Sequence, residues 1–72
     1  MVKPYDIEVE DRMKIFYDSL SEKDKRRYAA IESMKLGYGG QTYISEILEC
    51  DPKTIQQGLS ELSDEDAIKK NE

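Results

Sequence analysis

A chain of 72 residues, 38% of them hydrophobic, forms at most one domain, and its core is too small for a deep active-site cleft. The absence of histidine and the presence of a single cysteine, Cys50, exclude a disulfide framework, a zinc-ligand set and a histidine-based catalytic triad. The net charge of −5, from 16 acidic and 11 basic residues, opposes non-specific attraction to nucleic acid.

The first predicted element follows a flexible lead-in, residues 1–6, where Pro4 disfavours helix at the residue before it. Asp6 is a suitable N-cap for a helix from Ile7 to Ser19. Apolar residues recur at spacings of four, three and four and so lie on one helical stripe: Val9, Met13, Phe16 and Leu20. The stripe predicts the face that packs on the rest of the domain.

A second helix is predicted from a capping-box pattern, Ser21 to Asp24, and runs to about Leu36. Its shared face consists of Tyr28, Ile31 and Met34 or Lys35. Ala29 and Ala30 allow another helix to approach closely. Gly37 occupies the position of a left-handed C-cap, and Tyr38-Gly39-Gly40 forms a tight connector.

Two shorter helices complete the pattern. The third, Gln41 to Glu49, has an inner face of Ile44, Ile47 and Leu48. Asp51 as N-cap and Pro52 as first helical residue start the fourth, whose apolar face is Ile55, Leu59 and Leu62. The prediction is therefore an all-α domain over residues 7–62. For residues 63–72 we predict an acidic, mobile tail with a frayed turn over 64–70.

The connection between the third and fourth helices predicts a helix-turn-helix. Only Glu49-Cys50-Asp51 joins them, so the two helices must cross steeply. Apolar or small side chains occupy the positions that this crossing requires: Ile44, Ser45, Leu48, Cys50 and Ile55. We predict a homeodomain-like three-helix core with an additional N-terminal helix. Periodicity alone favours a plain helical bundle, because short helical hairpins are common and the motif is degenerate.

In a helix-turn-helix the outer face of the second helix enters the major groove of double-stranded DNA. Here that face consists of Lys53, Thr54, Gln56, Gln57 and Ser60. Glutamine can bond adenine in two places, threonine can contact a thymine methyl group or a phosphate, and lysine can bind phosphate or guanine. Gln41 and Thr42, at the start of the third helix, would meet the DNA backbone.

Charge is distributed unevenly along the chain. Residues 21–40 carry five basic and three acidic side chains, a net charge of +2, whereas residues 41–62 carry one basic and four acidic, a net charge of −3. Arg26 and Arg27, in the basic cluster that opens the second helix, are candidate phosphate ligands, although pairing with nearby acids fits them at least as well. Glu49 stands where many such turns have glycine, which requires left-handed geometry or a different turn.

Several ordered blocks of the sequence resemble the N-terminal region of bacterial insertion-sequence transposases that carry a DDE-type catalytic domain. The blocks are Arg-Arg-Tyr-Ala-Ala within residues 21–33, Leu-Gly-Tyr-Gly-Gly at 36–40, Tyr-Ile-Ser at 43–45, and Lys-Thr-Ile-Gln-Gln-Gly-Leu-Ser-Glu-Leu at 53–62. The likeness spans about residues 16–62. It implies a DNA-binding module that recognises transposon ends, here as a truncated or stand-alone relative.

This sequence departs from that family at the turn and after it. Where members tend to have glycine, Ser-Arg and arginines, it has Glu49, Asp51-Pro52, Gln56 and Gln57. The loss of such cations removes phosphate contacts and weakens affinity in a salt-dependent way. No catalytic domain is present in these 72 residues, so the resemblance does not imply transposition chemistry.

An acidic protein-interaction module that has lost DNA binding is the alternative hypothesis, with a homodimer formed through Val9, Met13 and Phe16 of the first helix. We expect no enzymatic activity, cofactor or metal: Asp64, Glu65 and Asp66 are typical of a solvated cluster. Cys50 is interpreted as a turn-filling residue rather than a redox sensor. Tyr17, Tyr28 and Tyr43 are predicted at the core edge. The lone thiol and the lack of an apolar span predict a cytoplasmic protein without a membrane segment.

Overall fold

The computed structural model describes residues 4–64, and within them it contains four α-helices and no strand. The helices are α1 (Ile7–Asp18), α2 (Glu22–Leu36), α3 (Gly40–Leu48) and α4 (Pro52–Leu62). The all-α prediction is confirmed for this part of the chain, and each boundary lies within one residue of its predicted place. Residues 1–3 and 65–72, which include most of the predicted tail and its turn over 64–70, lie outside the described residues.

Two of the three predicted N-caps form the expected side-chain hydrogen bond. The Ser21 hydroxyl accepts from the Asp24 amide at 3.3 Å, and the Asp51 carboxylate accepts from the Lys53 amide at 2.9 Å. Asp6 holds the N-cap position of α1 without such a bond, so the prediction of a side-chain cap there is wrong. Gly37 has a positive φ of 70° with ψ of −136°, and the left-handed helical conformation belongs instead to Gly39 (φ 81°, ψ −7°).

The core lies where α2, α3 and α4 meet. Ile44 and Leu48 of α3 and Ile55 of α4 are completely buried, as are Ala29 and Ala30 of α2. The predicted anchors of the α3–α4 pair are therefore confirmed as core residues. Burying each of these large side chains contributes about 1.5–3 kcal/mol to folding.

The contact between α2 and α4 is unusually close because small residues form it. A Cβ atom added to Gly58 would lie 2.1 Å from the Arg26 carbonyl oxygen and 3.0 Å from the Ala30 Cβ. This explains a glycine in a helix interior, where it costs about 1 kcal/mol relative to alanine. It also corrects the predicted face of α2: Ile31 and Met34 are exposed, because α2 buries its small-residue side instead.

The predicted inner stripe of α1 is also wrong in part. Met13 is buried, but Val9 is 42% exposed and Phe16 is 51% exposed. The inner face runs through Met13 and Tyr17, so it is rotated around the helix by about one residue position from the predicted stripe. Periodicity could not show the contacts that this side of α1 makes with other helices: the Tyr43 hydroxyl of α3 donates a hydrogen bond to the Glu10 carboxylate, and the Lys25 ammonium of α2 lies 5.4 Å from the centre of the Tyr17 ring.

Candidate nucleic-acid interface

The turn between α3 and α4 takes the first of the two forms that the sequence left open. Glu49 adopts the left-handed helical conformation, with φ of 56° and ψ of 45°, and is the only non-glycine residue with positive φ among those described. The Glu49 and Cys50 amides donate to the Glu46 and Ser45 carbonyls at 3.3 and 3.0 Å. These bonds end α3 sharply, at a steric cost of roughly 1–2 kcal/mol for a side chain in this region.

Two side chains fill the space under the turn. Ser45 is buried, and its hydroxyl donates to the Thr42 carbonyl at 2.8 Å. Cys50 is half-buried and packs against the core cluster. Burial raises the pKa of the Cys50 thiol above its ordinary value. The neutral thiol is a poor nucleophile, which supports the turn-filling interpretation over the redox one.

The outward face of α4 is polar and accessible. Lys53, Gln56, Gln57 and Ser60 are exposed and Thr54 is half-buried. Within residues 4–64, no hydrogen bond or ion pair engages the side chains of Lys53, Gln56 and Gln57. The same helix turns Ile55 and Gly58 inward, so its two faces are cleanly separated. Three polar side chains are thus free to contact a ligand.

The start of α3 presents the other two predicted contact residues. Gln41 and Thr42 are exposed in its first turn. Gly39 is the N-cap and provides no side-chain hydrogen bond to the first amides of the helix. The helix dipole and these amides favour a negative group at this end.

The two arginines predicted to bind phosphate are both engaged with a carboxylate of α4. Glu61 accepts from Arg26 at 2.8–3.0 Å and from Arg27 at 3.1 Å, so each of its oxygens has a guanidinium partner. All three side chains are at most one-quarter exposed. The structure therefore pairs Arg26 and Arg27 with an acid. From the sequence, this interpretation was at least as well supported as phosphate binding.

The charge state of Glu61 reflects these contacts. Burial acts to raise its pKa, but the hydrogen bonds and the positive charges of Arg26 and Arg27 outweigh burial, so the pKa lies below the ordinary glutamate value. The two pairs join residues 35 and 34 positions apart in the sequence, and Glu61 was not predicted as the partner. The pairing depends on α4 lying against α2, which no local pattern in the sequence shows.

The rest of the basic cluster is also partly engaged. The Lys25 ammonium lies 3.7 Å from the Glu22 carboxylate and 5.4 Å from the centre of the Tyr17 ring. Tyr17 is buried, and burial with neighbouring negative charge raises its pKa to about 12. Tyr28 and Tyr43 are half-buried against the core. The prediction of core-edge tyrosines is confirmed for these two, whereas Tyr17 lies deeper than predicted.

The described part of the chain contains neither a membrane-spanning helix nor a cluster of metal ligands. None of its helices combines the length and apolarity that a bilayer crossing requires. No group of three or more acidic, cysteine or histidine side chains within residues 4–64 is placed to hold a metal ion. The acidic cluster that begins at Asp64 continues beyond the described residues. Comparisons with protein-family models, curated protein sequences and solved structures give no match for this chain.

Proposed function

We propose that α2, α3 and α4 form a helix-turn-helix domain that binds double-stranded DNA, with α4 as the reading helix. The observation that carries this proposal is the build of the α3–α4 pair. A three-residue turn with left-handed Glu49 joins two helices whose anchors, Ile44, Leu48 and Ile55, are fully buried. The opposite face of α4 is polar and has no partner among the described residues.

The side chains on that face suit base recognition in the major groove. Gln56 and Gln57 are adjacent and exposed, and each can form two hydrogen bonds with adenine. Lys53 and Thr54 lie in the first turn of α4, where they can contact a phosphate or a base edge, and Ser60 lies one turn beyond the glutamines. Gln41 and Thr42 would contact the backbone at the start of α3.

The charge distribution sets the kind of binding that is expected. Arg26 and Arg27 are paired with Glu61, and the α3–α4 segment contains four acidic residues and only one basic residue. Few phosphates can be neutralised, so non-specific affinity is low and depends weakly on salt. Affinity must come mainly from base contacts, which makes binding dependent on the correct sequence. This fits the resemblance to transposon-end recognition domains, with which these residues share ordered sequence blocks.

The proposal is tested by selection from a pool of randomised duplexes at low salt, followed by fluorescence anisotropy on the enriched sequence. We expect Gln56→Ala and Gln57→Ala each to weaken binding by about tenfold to a hundredfold and to relax specificity at one base position. Lys53→Gln should weaken binding to all sequences alike and reduce the salt slope by about one. Lys35→Gln removes the same charge at the far end of α2, where it also ends an ion pair with the nearly buried Glu32, so it is the charge control once circular dichroism shows that the variant is folded.

Two outcomes would contradict the proposal. One is that selection enriches no sequence although circular dichroism shows a folded helical protein. The other is an enriched sequence whose affinity responds equally to Lys35→Gln and Lys53→Gln and ignores both glutamine substitutions, since binding would then use another surface.

A further inference from the structure

An ion cluster of three side chains joins α2 to α4 at the edge of the proposed reading face. The Nη2 atom of Arg26 lies 2.8 Å from Oε2 of Glu61, and the Nε atom of Arg27 lies 3.1 Å from Oε1. On α4, Glu61 directly follows Ser60 and lies one helical turn beyond Gln57, and both of those residues are exposed. The Arg26–Arg27–Glu61 cluster is therefore a neighbour of the side chains that we assign to base recognition.

The cluster occupies both oxygens of the carboxylate. Arg26 donates to Oε2 through its Nε atom at 3.0 Å as well, whereas Arg27 donates only to Oε1. The side chains of Arg26, Arg27 and Glu61 are 25%, 15% and 20% exposed, so water and salt screen these pairs less than pairs on the open surface. Glu61 is ionised at neutral pH, since its pKa lies below the ordinary glutamate value. Both guanidinium groups are thus directed at a charged partner.

The backbones beneath the cluster hold its members together. Gly58 precedes Glu61 by one turn of α4, and a Cβ atom there would lie 2.1 Å from the Arg26 carbonyl oxygen. The two helices are therefore in direct contact at this point. This contact brings the Glu61 carboxylate within reach of both guanidinium groups whenever α2 and α4 are packed.

Without the carboxylate, the same side of α2 would be a phosphate-binding surface. Lys23, Arg26 and Arg27 lie on that side at helical spacings of three and four. The planar guanidinium group matches the geometry of a phosphate and can donate two hydrogen bonds to it. Each phosphate contacted in this way adds affinity that is independent of sequence and sensitive to salt.

We propose that Glu61 is an autoinhibitory residue that withholds Arg26 and Arg27 from DNA phosphates. The inference rests on the proposed function of α4. The carboxylate takes the guanidinium donors that a phosphate needs, and a phosphate would have to displace it from a partly buried site. Binding then depends on the bases that contact Gln56 and Gln57 rather than on attraction to any duplex.

The test compares Glu61→Gln with the wild type by fluorescence anisotropy on a duplex of random sequence, at about 50 to 200 mM salt. The variant should bind about tenfold more tightly at the lowest salt. The slope of log affinity against log salt should steepen by about one to two, because each phosphate contact contributes about 0.9. Asp11→Asn removes the same charge at an exposed residue of α1 and should change affinity by about twofold at most.

Two further measurements assign the gain to the arginines. Adding Arg26→Gln and Arg27→Gln to Glu61→Gln should remove the gain, while circular dichroism shows that each variant is folded. In the wild type, the Nε–H signals of both arginines in ¹H–¹⁵N spectra should not move when either the random or the enriched duplex is added. This second measurement needs no variant, so it decides the matter even if Glu61→Gln does not fold.

Three results would overturn the inference. The first is a folded Glu61→Gln protein that binds the random duplex no better than Asp11→Asn does. The second is a gain that survives the loss of both arginines, and the third is a shift of the wild-type Arg26 and Arg27 signals on binding. Failure of the proposed function is seen separately, as the absence of an enriched sequence, because binding of the random duplex requires no recognised site.

Discussion

The α2–α4 contact and the outer side of α1 show two different ways in which helices of one small domain meet their surroundings. Between α2 and α4, glycine and alanine let the backbones approach until no Cβ fits at Gly58. On α1, large apolar side chains such as Phe16 and Ile15 project outward and remain exposed. The first surface uses small residues and is closed, whereas the second uses large residues and stays open.

The difference separates residues that stabilise the fold from residues that are free to bind. Fully buried Ile44, Leu48 and Ile55 belong to the closed region, together with the Arg26–Arg27–Glu61 cluster at its edge. The exposed side of α1, with Ile15 and Phe16, and the outer face of α4 contribute little to that core. Substitutions in the two regions should therefore differ sharply in their effect on stability.

Truncating one isoleucine in each region should give the largest contrast. Ile55→Ala removes a fully buried side chain and should lower the free energy of unfolding by about 2–5 kcal/mol. Ile15 is 66% exposed, so Ile15→Ala should change it by less than about 0.5 kcal/mol. Urea unfolding followed by circular dichroism measures both. Similar losses for the two variants would show that the regions are not distinct.

Gly58→Ala tests the close approach itself. Alanine is the better helix former by about 1 kcal/mol, but its Cβ would lie 2.1 Å from the Arg26 carbonyl oxygen. Relieving that overlap requires α4 to move away from α2, and we expect a net loss of about 3 kcal/mol. Gln57→Ala, at the adjacent exposed position, should change the free energy of unfolding by less than about 0.5 kcal/mol. A stabilised Gly58→Ala protein would contradict the observed packing.

Glu61→Gln tests the ion cluster between the same two helices. Losing the carboxylate leaves two half-buried guanidinium groups without their partner, so we expect a loss of about 2 kcal/mol at neutral pH. Glu22→Gln is the matched control, because Glu22 is 88% exposed and pairs with Lys25 only at 3.7 Å.

The stabilisation by Glu61 should change with pH in a direction that its pKa shift determines. The pKa of Glu61 is lower in the folded chain than its unfolded value of about 4.3, so its stabilisation is complete above that value. It is lost as the pH falls through the lowered folded pKa. The difference in unfolding free energy between the wild type and Glu61→Gln should therefore be constant near neutral pH and shrink in acid. A difference that grows in acid would contradict this.

Tyr43→Phe should have the smallest effect and should act on α1. The substitution removes the hydrogen bond to Glu10, which links α3 to α1, and should cost about 1 kcal/mol. Hydrogen exchange in α1 should accelerate more than exchange in α4, because α1 has the weaker attachment. Tyr38→Phe, at a fully exposed tyrosine, should change neither. Equal acceleration in both helices would mean that α1 and α4 open together.

The features that could be predicted from the sequence are those that depend only on residues close together in the chain. Helix positions followed from periodicity, and the Ser21 and Asp51 caps followed from residue type at the helix starts. The exposed polar face of α4 followed from the apolar spacing that turns Ile55 inward. Each of these is a local property of one segment.

The parts that failed depend on contacts between distant segments. Phe16 and Tyr17 are adjacent aromatic residues on different sides of α1, and the inward one, Tyr17, contacts Lys25 of α2 and Cys50 of the α3–α4 turn. The pairing of Arg26 and Arg27 with Glu61 requires α4 to lie against α2, which no local pattern reveals. Propensity and periodicity therefore located the elements but not all of their inner faces.

The most direct test of α4 as a reading helix is a ¹H–¹⁵N NMR titration of the protein with the duplex that selection enriches. We predict amide and side-chain shifts concentrated at Lys53, Gln56, Gln57 and Ser60, with smaller shifts at Gln41 and Thr42. Signals from the exposed side of α1, such as those of Val9 and Phe16, should not respond. Saturating DNA that leaves the α4 signals unchanged would contradict the proposed function.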